Sequence, residues 1–267
     1  MPMLDVKKAS ITFFRGTVNE QVGLDDIMLS LDEGEFVTVI GSNGAGKSTL
    51  FNCISGVYEI DSGRIILDSQ DITYNPEHKR AAVIGRIFQD PMKGTAPDMT
   101  IEENLSLAYF RKNGNPLRMG VPKKNVDFFK SELERFGMGL EERMKAKMGL
   151  LSGGQRQAVS LLMAVIGRPK LLLLDEHTAA LDPGAAEKVM EITKKVAAEN
   201  SFATMMITHN LQAALKTGTR TIMLDSGRII LDISGEERDG MTVSKLMEMY
   251  SQRSSKQLDN DRMLLSK

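Results

Sequence analysis

One short segment, residues 41–49 (GSNGAGKST), constrains this 267-residue chain more than any other. It follows the apolar run at residues 36–40 and precedes a stretch with helical character that begins at Leu50. A strand, a glycine-rich loop ending in Lys-Ser-Thr and a helix are the setting in which G-x-x-x-x-G-K-[ST] binds phosphate. The glycines let backbone N–H groups converge on an anion, and the helix N-terminus adds partial positive charge.

This loop predicts a nucleotide site. Lys47 is expected to reach the terminal phosphates, and the Ser48 hydroxyl is expected to bind Mg²⁺. An ordinary strand-to-helix turn would explain the glycines but not Lys47 and Ser48 at their positions. The residues predicted to contact nucleotide here are Gly41, Ser42, Asn43, Gly44, Ala45, Gly46, Lys47, Ser48 and Thr49.

Composition excludes several other classes of protein. The hydrophobic content of 42% and charged content of 26% are ordinary for a globular protein, and a net charge of -1 gives no basis for nucleic-acid binding. The single cysteine, Cys53, is expected to be a small buried residue in a reducing compartment. The N-terminus lacks the apolar core of a signal peptide, and no apolar run is long enough to span a bilayer. We therefore expect a cytoplasmic protein.

Hydrophobic patterning predicts alternating strands and helices. Short strands are expected within residues 4–31, further strands at 63–67 and 82–88, and a mostly helical stretch over residues 90–150. Residues 171–174 and 203–207 are apolar runs typical of parallel strands buried on both faces. A helix is predicted after Asp182-Pro183, and residues 220–224 and 228–233 form a predicted hairpin. Methionines over residues 92–148 are typical of core packing; a groove for a partner helix is the alternative.

Two further motifs carry predicted chemistry. Asp175 and Glu176 end the 171–174 strand, at the edge where open α/β sheets bind ligands. Asp175 is placed to hold Mg²⁺, and Glu176 to orient or deprotonate an attacking water. The segment LSGGQ at residues 151–155 predicts a helix start with a capping box. Glycines in a first turn are costly, which favours a backbone that approaches another molecule.

In their order along the chain (residues 41–49, 151–155 and 171–176), the three motifs resemble the nucleotide-binding subunit of an ATP-binding cassette (ABC) transporter, and the resemblance extends over nearly the whole chain. The resemblance implies a P-loop NTPase α/β fold with a mostly parallel central sheet, an N-terminal antiparallel β subdomain and an inserted α-helical subdomain. It divides the chain into a core (residues 1–89 and 159–240), a helical signature subdomain (90–158) and a C-terminal helix and tail (241–267). It also implies an ATPase that uses ATP and Mg²⁺.

The resemblance implies that two copies pack head to tail, with each ATP between the phosphate loop of one and the signature of the other. The signature residues that would contact ATP are Ser152, Gly153, Gly154 and Gln155. Asp182 matches the aspartate that communicates across the dimer. Gln89 matches a glutamine that senses Mg²⁺ and water, and His209 a histidine that contacts the γ-phosphate.

An aromatic residue of the N-terminal region usually stacks on adenine, and we predict Phe13 rather than Phe14 for this role. No guanine-reading Asn-Lys-x-Asp motif occurs, so ATP is preferred to GTP. Two positions depart from the family pattern: His177 stands where proline is common, and Ala180 where serine is common. Neither replaces a group that hydrolysis needs.

The narrower resemblance is to bacterial importers of amino-acid-like solutes, including aromatic amino acids. It implies membrane permease subunits as partners, an extracytoplasmic solute-binding protein as a further one, and a location at the inner face of the cell membrane. An ATPase coupled to export, lipoprotein extraction or mechanical signalling is the alternative. A DNA-repair ATPase would carry coiled coils or zinc-binding cysteines between the motifs, and a small-molecule kinase would leave LSGGQ unexplained.

Overall fold

The computed structural model describes residues 1–90, 92–113 and 121–254. They form two compact units: the first contains Met1–Ala81 and the chain from Ser201 onward, and the second contains Ala82–Asn200. The predicted subdomain boundaries at residues 89/90 and 158/159 stay predictions. Residues 255–267 of the predicted tail lie outside the described residues. No helix in the described part of the chain is both long and apolar enough to cross a membrane.

An antiparallel sheet in the order β2-β1-β4-β5 forms one layer of the first unit. Its strands are β1 (Leu4–Phe13), β2 (Gln21–Leu31), β4 (Ser62–Leu67) and β5 (Gln70–Asp71). The prediction of short strands over residues 4–31 was wrong, because β1 and β2 are long. Bulges in β1 absorb irregular positions such as Lys8, whose φ is 50°, without ending the strand.

Three parallel strands and one antiparallel strand of the first unit belong to the second sheet. β3 (Phe36–Gly41) pairs in parallel with β8 (Ala203–Ile207) and β9 (Arg220–Asp225), and β10 (Arg228–Ser234) returns antiparallel beside β9. Every residue of β3 and β8 is buried, as their apolar runs predicted. The predicted hairpin of β9 and β10 is confirmed.

Buried arginines hold the ends of two helices in the first unit. The helices of this unit are α1 (Lys47–Ser55), α2 (Glu77–Arg80), α7 (Leu211–Lys216), α8 (Gly235–Asp239) and α9 (Val243–Arg253). Arg80 donates to the carbonyl oxygens of Cys53 and Ile54 at the end of α1, at 2.7 and 2.9 Å. Arg238 donates to the carbonyl oxygens of Ala214 and Leu215 in α7, both at 3.0 Å. Both arginines satisfy carbonyls that a helix C-terminus leaves without partners.

The cysteine of α1 is buried, as predicted. Cys53 is 1% exposed. Burial raises the pKa of its thiol to about 12, and the nearby Arg80 only partly opposes that effect. The thiol is therefore protonated at neutral pH and is a core residue rather than a nucleophile.

The second unit contains the parallel strands β6 (Ile84–Ile87) and β7 (Leu171–Asp175) and four long helices among its described residues. The helices are α3 (Ile101–Asn113), α4 (Lys123–Glu134), α5 (Gly153–Val165) and α6 (Pro183–Glu199). The predicted inner face of α6 is confirmed, since Val189, Ile192 and Val196 are buried. The core-packing role predicted for the methionines is confirmed only in part: Met144 and Met148 are buried, Met99 and Met138 are half-buried, and Met92 is exposed. Met119 lies outside the described residues.

Candidate functional site

The phosphate loop connects β3 to α1, and its backbone requires glycine. Gly41, Gly44 and Gly46 have φ values of 146°, 78° and 104°, a region that other residues rarely adopt. A Cβ on Gly41 would lie 2.3 Å from the carbonyl oxygen of Leu224, and one on Gly46 would lie 2.8 Å from that of Gly23. The loop is therefore fixed by its own conformation and by the neighbouring backbone.

The turn between β9 and β10 supports the phosphate loop. Gly227 donates its N–H to the Ala45 carbonyl oxygen at 3.0 Å, and its own carbonyl accepts from Asp25 N–H at 2.8 Å. At the start of this turn, buried Asp225 accepts from the Tyr250 hydroxyl at 3.4 Å and from Ser254 Oγ at 3.1 Å. Sequence reasoning missed this support, because no local pattern connects residues 225–227 with residue 45.

Lys47 and Ser48 occupy different environments at the start of α1. Lys47 is 6% exposed, and its Nζ donates to the carbonyl oxygens of Gly41 and Ser42 at 2.8 and 2.9 Å. The ammonium group therefore lies over the beginning of the loop, inside the curve of the backbone. Ser48 is exposed, so its hydroxyl is open to a ligand.

His209 lies beside the phosphate loop because of strand register. Val39 in β3 is paired with Ile207 in β8, and two residues further along the chain are Gly41 and His209. Parallel strands carry both residues to the same sheet edge. His209 is half-buried, and the next residue, Asn210, caps α7 by accepting from Ala213 N–H at 2.8 Å.

The two candidate adenine-stacking rings differ in packing. Phe13 is half-buried, and its ring makes a T-shaped contact with the Tyr58 ring at a centroid separation of 5.3 Å. A Cβ built on Gly23 would lie 2.5 Å from the Phe13 ring and 3.1 Å from the methyl group of Thr49, so this ring adjoins the phosphate loop. Phe14 is 69% exposed, on a backbone with a φ of 53°.

In the second unit, Gln89 and Glu176 meet beyond the ends of β6 and β7. Ile87 is paired with Leu174, and each of the two side chains comes two residues later. Gln89 Nε2 donates to Glu176 Oε2 at 3.2 Å. Glu176 has a φ of 46°, a left-handed conformation that costs energy for a residue with a side chain and that is concentrated at functional sites. This hydrogen bond connects the predicted catalytic glutamate to the predicted sensor glutamine.

Asp175 has a basic neighbour that sequence reasoning missed. Arg86 Nη2 lies 3.8 Å from Asp175 Oδ2, and both side chains are largely buried. The Arg86 guanidinium also lies 4.8 Å from the centroid of the Phe88 ring, a cation–π contact. The parallel register places Arg86 opposite Leu173, so this arginine approaches the carboxylate from the adjacent strand.

The signature segment forms the predicted capping box at the start of α5. Ser152 Oγ accepts from Gln155 N–H at 3.3 Å, and Gln155 Oε1 accepts from Ser152 N–H at 3.4 Å. Gly154 also has a packing role inside the chain, since a Cβ there would lie 2.8 Å from the Cβ of Ala185 in α6. Packing within the chain therefore explains why this signature position is glycine, without a second molecule.

Asp182 and His177 flank the loop between β7 and α6. Asp182 is the N-cap of α6, as predicted, and its Oδ1 accepts from Ala185 N–H at 3.0 Å. His177 is 1% exposed, and burial lowers the pKa of its imidazole to about 4. The imidazole is therefore neutral at physiological pH.

The predicted site residues divide between the two units. The phosphate loop, Phe13 and His209 belong to the first unit. Gln89, Asp175, Glu176, Asp182 and the signature residues belong to the second.

Comparison with known proteins shows the family. Residues 24–179 match the ABC transporter family. A tyrosine transport ATP-binding protein of Clostridioides difficile is 42% identical over 248 residues, covering 93% of this chain and 98% of that relative. The spermidine/putrescine import ATP-binding protein PotA of Haemophilus influenzae is 33% identical, over 88% of this chain and 59% of PotA.

Solved structures agree with the sequence relatives. The ATP-binding cassette MJ1267 of an ABC transporter has a TM-score of 0.77 and 28% identity, covering 94% of this chain and 99% of that one. The cassette MJ0796, a dimer in a post-hydrolysis state bound to ADP and Pi, has a TM-score of 0.72 and 28% identity, covering 87% and 98%. The predicted α/β P-loop fold class is confirmed by these neighbours. The chain is therefore a member of the ABC transporter family, an ATP-binding cassette that hydrolyses ATP.

Proposed function

We propose that this chain binds two MgATP as a head-to-tail dimer and powers a membrane permease that imports an amino acid or a similar small solute. The observation that carries the proposal is the contact between Gln89 and Glu176. It gives a left-handed, strained glutamate a defined orientation at the carboxyl end of a parallel strand, where catalytic residues of open α/β sheets lie.

Nucleotide binding is assigned to the first unit. The amides of residues 41–49 and the Lys47 ammonium would hold the phosphates, and the Phe13 ring would stack on adenine. No group of three or more His, Cys, Asp or Glu side chains within the described residues forms a metal cage. Mg²⁺ is commonly held by one or two protein oxygen ligands together with nucleotide phosphates and water, and the exposed Ser48 hydroxyl and the Asp175 carboxylate are ligands of this kind. Ser48, Asp175 and Gln89 are the residues that would hold it.

Hydrolysis is assigned to Glu176, Gln89 and His209. Glu176 would orient or deprotonate the attacking water, a role that contributes a factor of about 10² to 10⁴ in rate. Gln89, bonded to Glu176, would sense the water and Mg²⁺, and His209 would contact the γ-phosphate. The bound Mg²⁺ would supply positive charge to the phosphates, while Lys47 and the loop amides stabilise charge that develops during transfer.

The dimer would complete each site. Ser152, Gly153, Gly154 and Gln155 of one copy would contact the ATP held by the phosphate loop of the other, and Asp182 would communicate between copies. Dimeric structures of the related cassette MJ0796 support dimer formation, while the head-to-tail contact is part of the proposal.

Import is favoured over export by the relatives. The similar proteins include ATP-binding proteins for tyrosine transport, spermidine/putrescine import and methionine import. The permease would hold the chain at the inner face of the cell membrane, and a solute-binding protein would deliver solute from outside. Coupling to export is the second candidate, and co-purification of the complex followed by identification of its membrane partner would decide between them.

The Glu176→Gln variant tests the catalytic and dimer assignments together. Glutamine keeps the size of the side chain but cannot accept a proton, so ATP hydrolysis should fall by a factor of about 10² or more while ATP binding persists. With hydrolysis blocked, addition of MgATP should produce a dimer on size-exclusion chromatography.

The matched control is the double variant Lys47→Ala, Glu176→Gln. Loss of the Lys47 ammonium should lower ATP affinity in calorimetry, and this variant should stay monomeric with MgATP. Hydrolysis by Glu176→Gln at the wild-type rate would remove Glu176 from its role. Unchanged ATP affinity in the double variant would contradict the assignment of Lys47.

A further inference from the structure

The side chain that follows Glu176 is anchored in the interior of the second unit. His177 Nε2 lies 3.1 Å from Thr193 Oγ1 in α6, and both residues are buried. The Thr193 hydroxyl donates its proton to the Val189 carbonyl oxygen at 2.8 Å. The oxygen of Thr193 is then the acceptor of a hydrogen bond from His177 Nε2–H. The imidazole thereby ties the chain next to Glu176 to the middle of α6.

If packing were its only role, histidine at position 177 would be less favourable for stability than an apolar side chain. Its buried Nδ1 has no hydrogen-bond partner among the described residues. A buried acceptor in that state lowers the stability of a protein, and an apolar side chain of similar size would avoid the loss. Proline, which is common here in the family, would avoid it too but would provide no donor to Thr193. The Nε2–H bond is the specific feature that histidine contributes.

The backbone next to His177 needs support. Glu176 has a φ of 46°, and a non-glycine residue keeps such a conformation only when its surroundings hold it. The Glu176 carbonyl oxygen accepts from Ala179 N–H at 2.9 Å, and its carboxylate accepts from Gln89 at 3.2 Å. The His177–Thr193 bond adds an anchor on the C-terminal side of the same residue.

We propose that His177 is a positioning residue that fixes the peptide between residues 176 and 177 against α6, and so holds Glu176 in place for ATP hydrolysis. This inference rests on the proposed role of Glu176. The anchor also closes the segment 177–182 into a braced loop, because Asp182 at its other end caps the same helix. A shift of Glu176 would misplace the water on which it acts.

Substitutions of Thr193 test the anchor without touching the chain next to Glu176. Thr193→Val keeps the shape of the side chain and removes the hydroxyl, whereas Thr193→Ser keeps the hydroxyl. Because small misplacements of catalytic groups are expensive, Thr193→Val should lower kcat by about 10-fold to 100-fold with KM for ATP changed by less than about twofold. Thr193→Ser should hydrolyse ATP at close to the wild-type rate.

His177→Leu should show the same loss of kcat. Since both variants break one bond, the double variant His177→Leu, Thr193→Val should be no slower than either single variant. A further slowing in the double variant, equal to the product of the two single losses, would overturn the idea that they act through one bond.

Thr204→Val is the control for a purely structural effect. Thr204 is buried in the first unit and donates to the Phe202 carbonyl oxygen at 3.2 Å, so its loss should affect stability without changing kcat. All rates are measured at a temperature where circular dichroism shows each variant folded. Wild-type kcat in Thr193→Val would overturn the inference about His177. Wild-type hydrolysis by Glu176→Gln would instead overturn the proposed function.

Discussion

The phosphate loop of the first unit is held mainly by backbone contacts, whereas the strand ends of the second unit are held by contacts between side chains. In the phosphate loop, Gly41 and Gly46 have positive φ and lie against neighbouring backbone, and even Lys47 bonds to carbonyl oxygens of the loop itself. At the ends of β6 and β7, side chains hold side chains: Gln89 bonds to Glu176, and Arg86 faces Asp175.

The difference follows from what each region must do. An anion can be held by backbone N–H groups, which need only a fixed chain path. The predicted proton acceptor Glu176 and the predicted metal ligand Asp175 are carboxylates, and the orientation of a side chain requires partners on neighbouring strands. Substitutions in the first region should therefore act through chain geometry and stability, and those in the second through reaction rate.

The largest effect is expected from Gly41→Ala, which changes the backbone conformation of the phosphate loop. The new methyl group would lie 2.3 Å from the Leu224 carbonyl oxygen, at a φ of 146°. Strain and overlap together should lower the free energy of unfolding by about 3 kcal/mol or more and abolish ATP binding. Urea denaturation and calorimetry measure the two effects.

Gly44→Ala is the matched control for this prediction. Its φ is 78°, but a Cβ there would meet nothing within 4 Å, so only the backbone strain of about 1–2 kcal/mol should remain. Equal stability of the two variants would show that contact with β9 does not constrain the loop.

An intermediate effect is expected from Gly154→Ala. This glycine has no positive φ, so its substitution tests side-chain packing without backbone strain. Its added Cβ would lie 2.8 Å from the Cβ of Ala185. Overpacking should lower the free energy of unfolding by about 1–3 kcal/mol. The double variant Gly154→Ala, Ala185→Gly transfers the methyl group across the contact, and it should be more stable than Gly154→Ala alone. If Ala185→Gly brings no recovery in chemical denaturation, the glycine is not needed for helix packing.

The smallest effect is expected from Phe13→Ala, which removes an aromatic side chain next to the phosphate loop. Loss of the predicted stacking on adenine should weaken ATP binding by about 1 kcal/mol, a five- to tenfold rise in Kd. Phe14→Ala is the control, with an unchanged Kd in fluorescence titration. The reverse ranking of the two variants would assign the stacking role to Phe14.

Features coded by neighbouring residues could be predicted from the sequence. The phosphate loop, the capping box at Ser152 and the N-cap at Asp182 each depend on residues within one turn or loop. The buried strands β7 and β8 could be predicted because runs of apolar residues are long enough to define them.

Contacts between distant parts of the chain could not be predicted. The bond from Gly227 to Ala45, the ion pair of Arg86 with Asp175 and the bond of His177 to Thr193 depend on strand register and helix packing. The lengths of β1 and β2 were also missed, because bulges let a strand continue through polar residues that look like turns.

The left-handed backbone of Glu176 has a consequence for protein engineering. At a φ of 46°, glycine or asparagine suits the chain better than glutamate, so a redesign guided by thermal tolerance would favour either residue at this position. Each replacement removes the carboxylate. A library of this protein sorted only for heat resistance should therefore enrich proteins that survive heating but no longer turn over ATP, and sorting for turnover must accompany it.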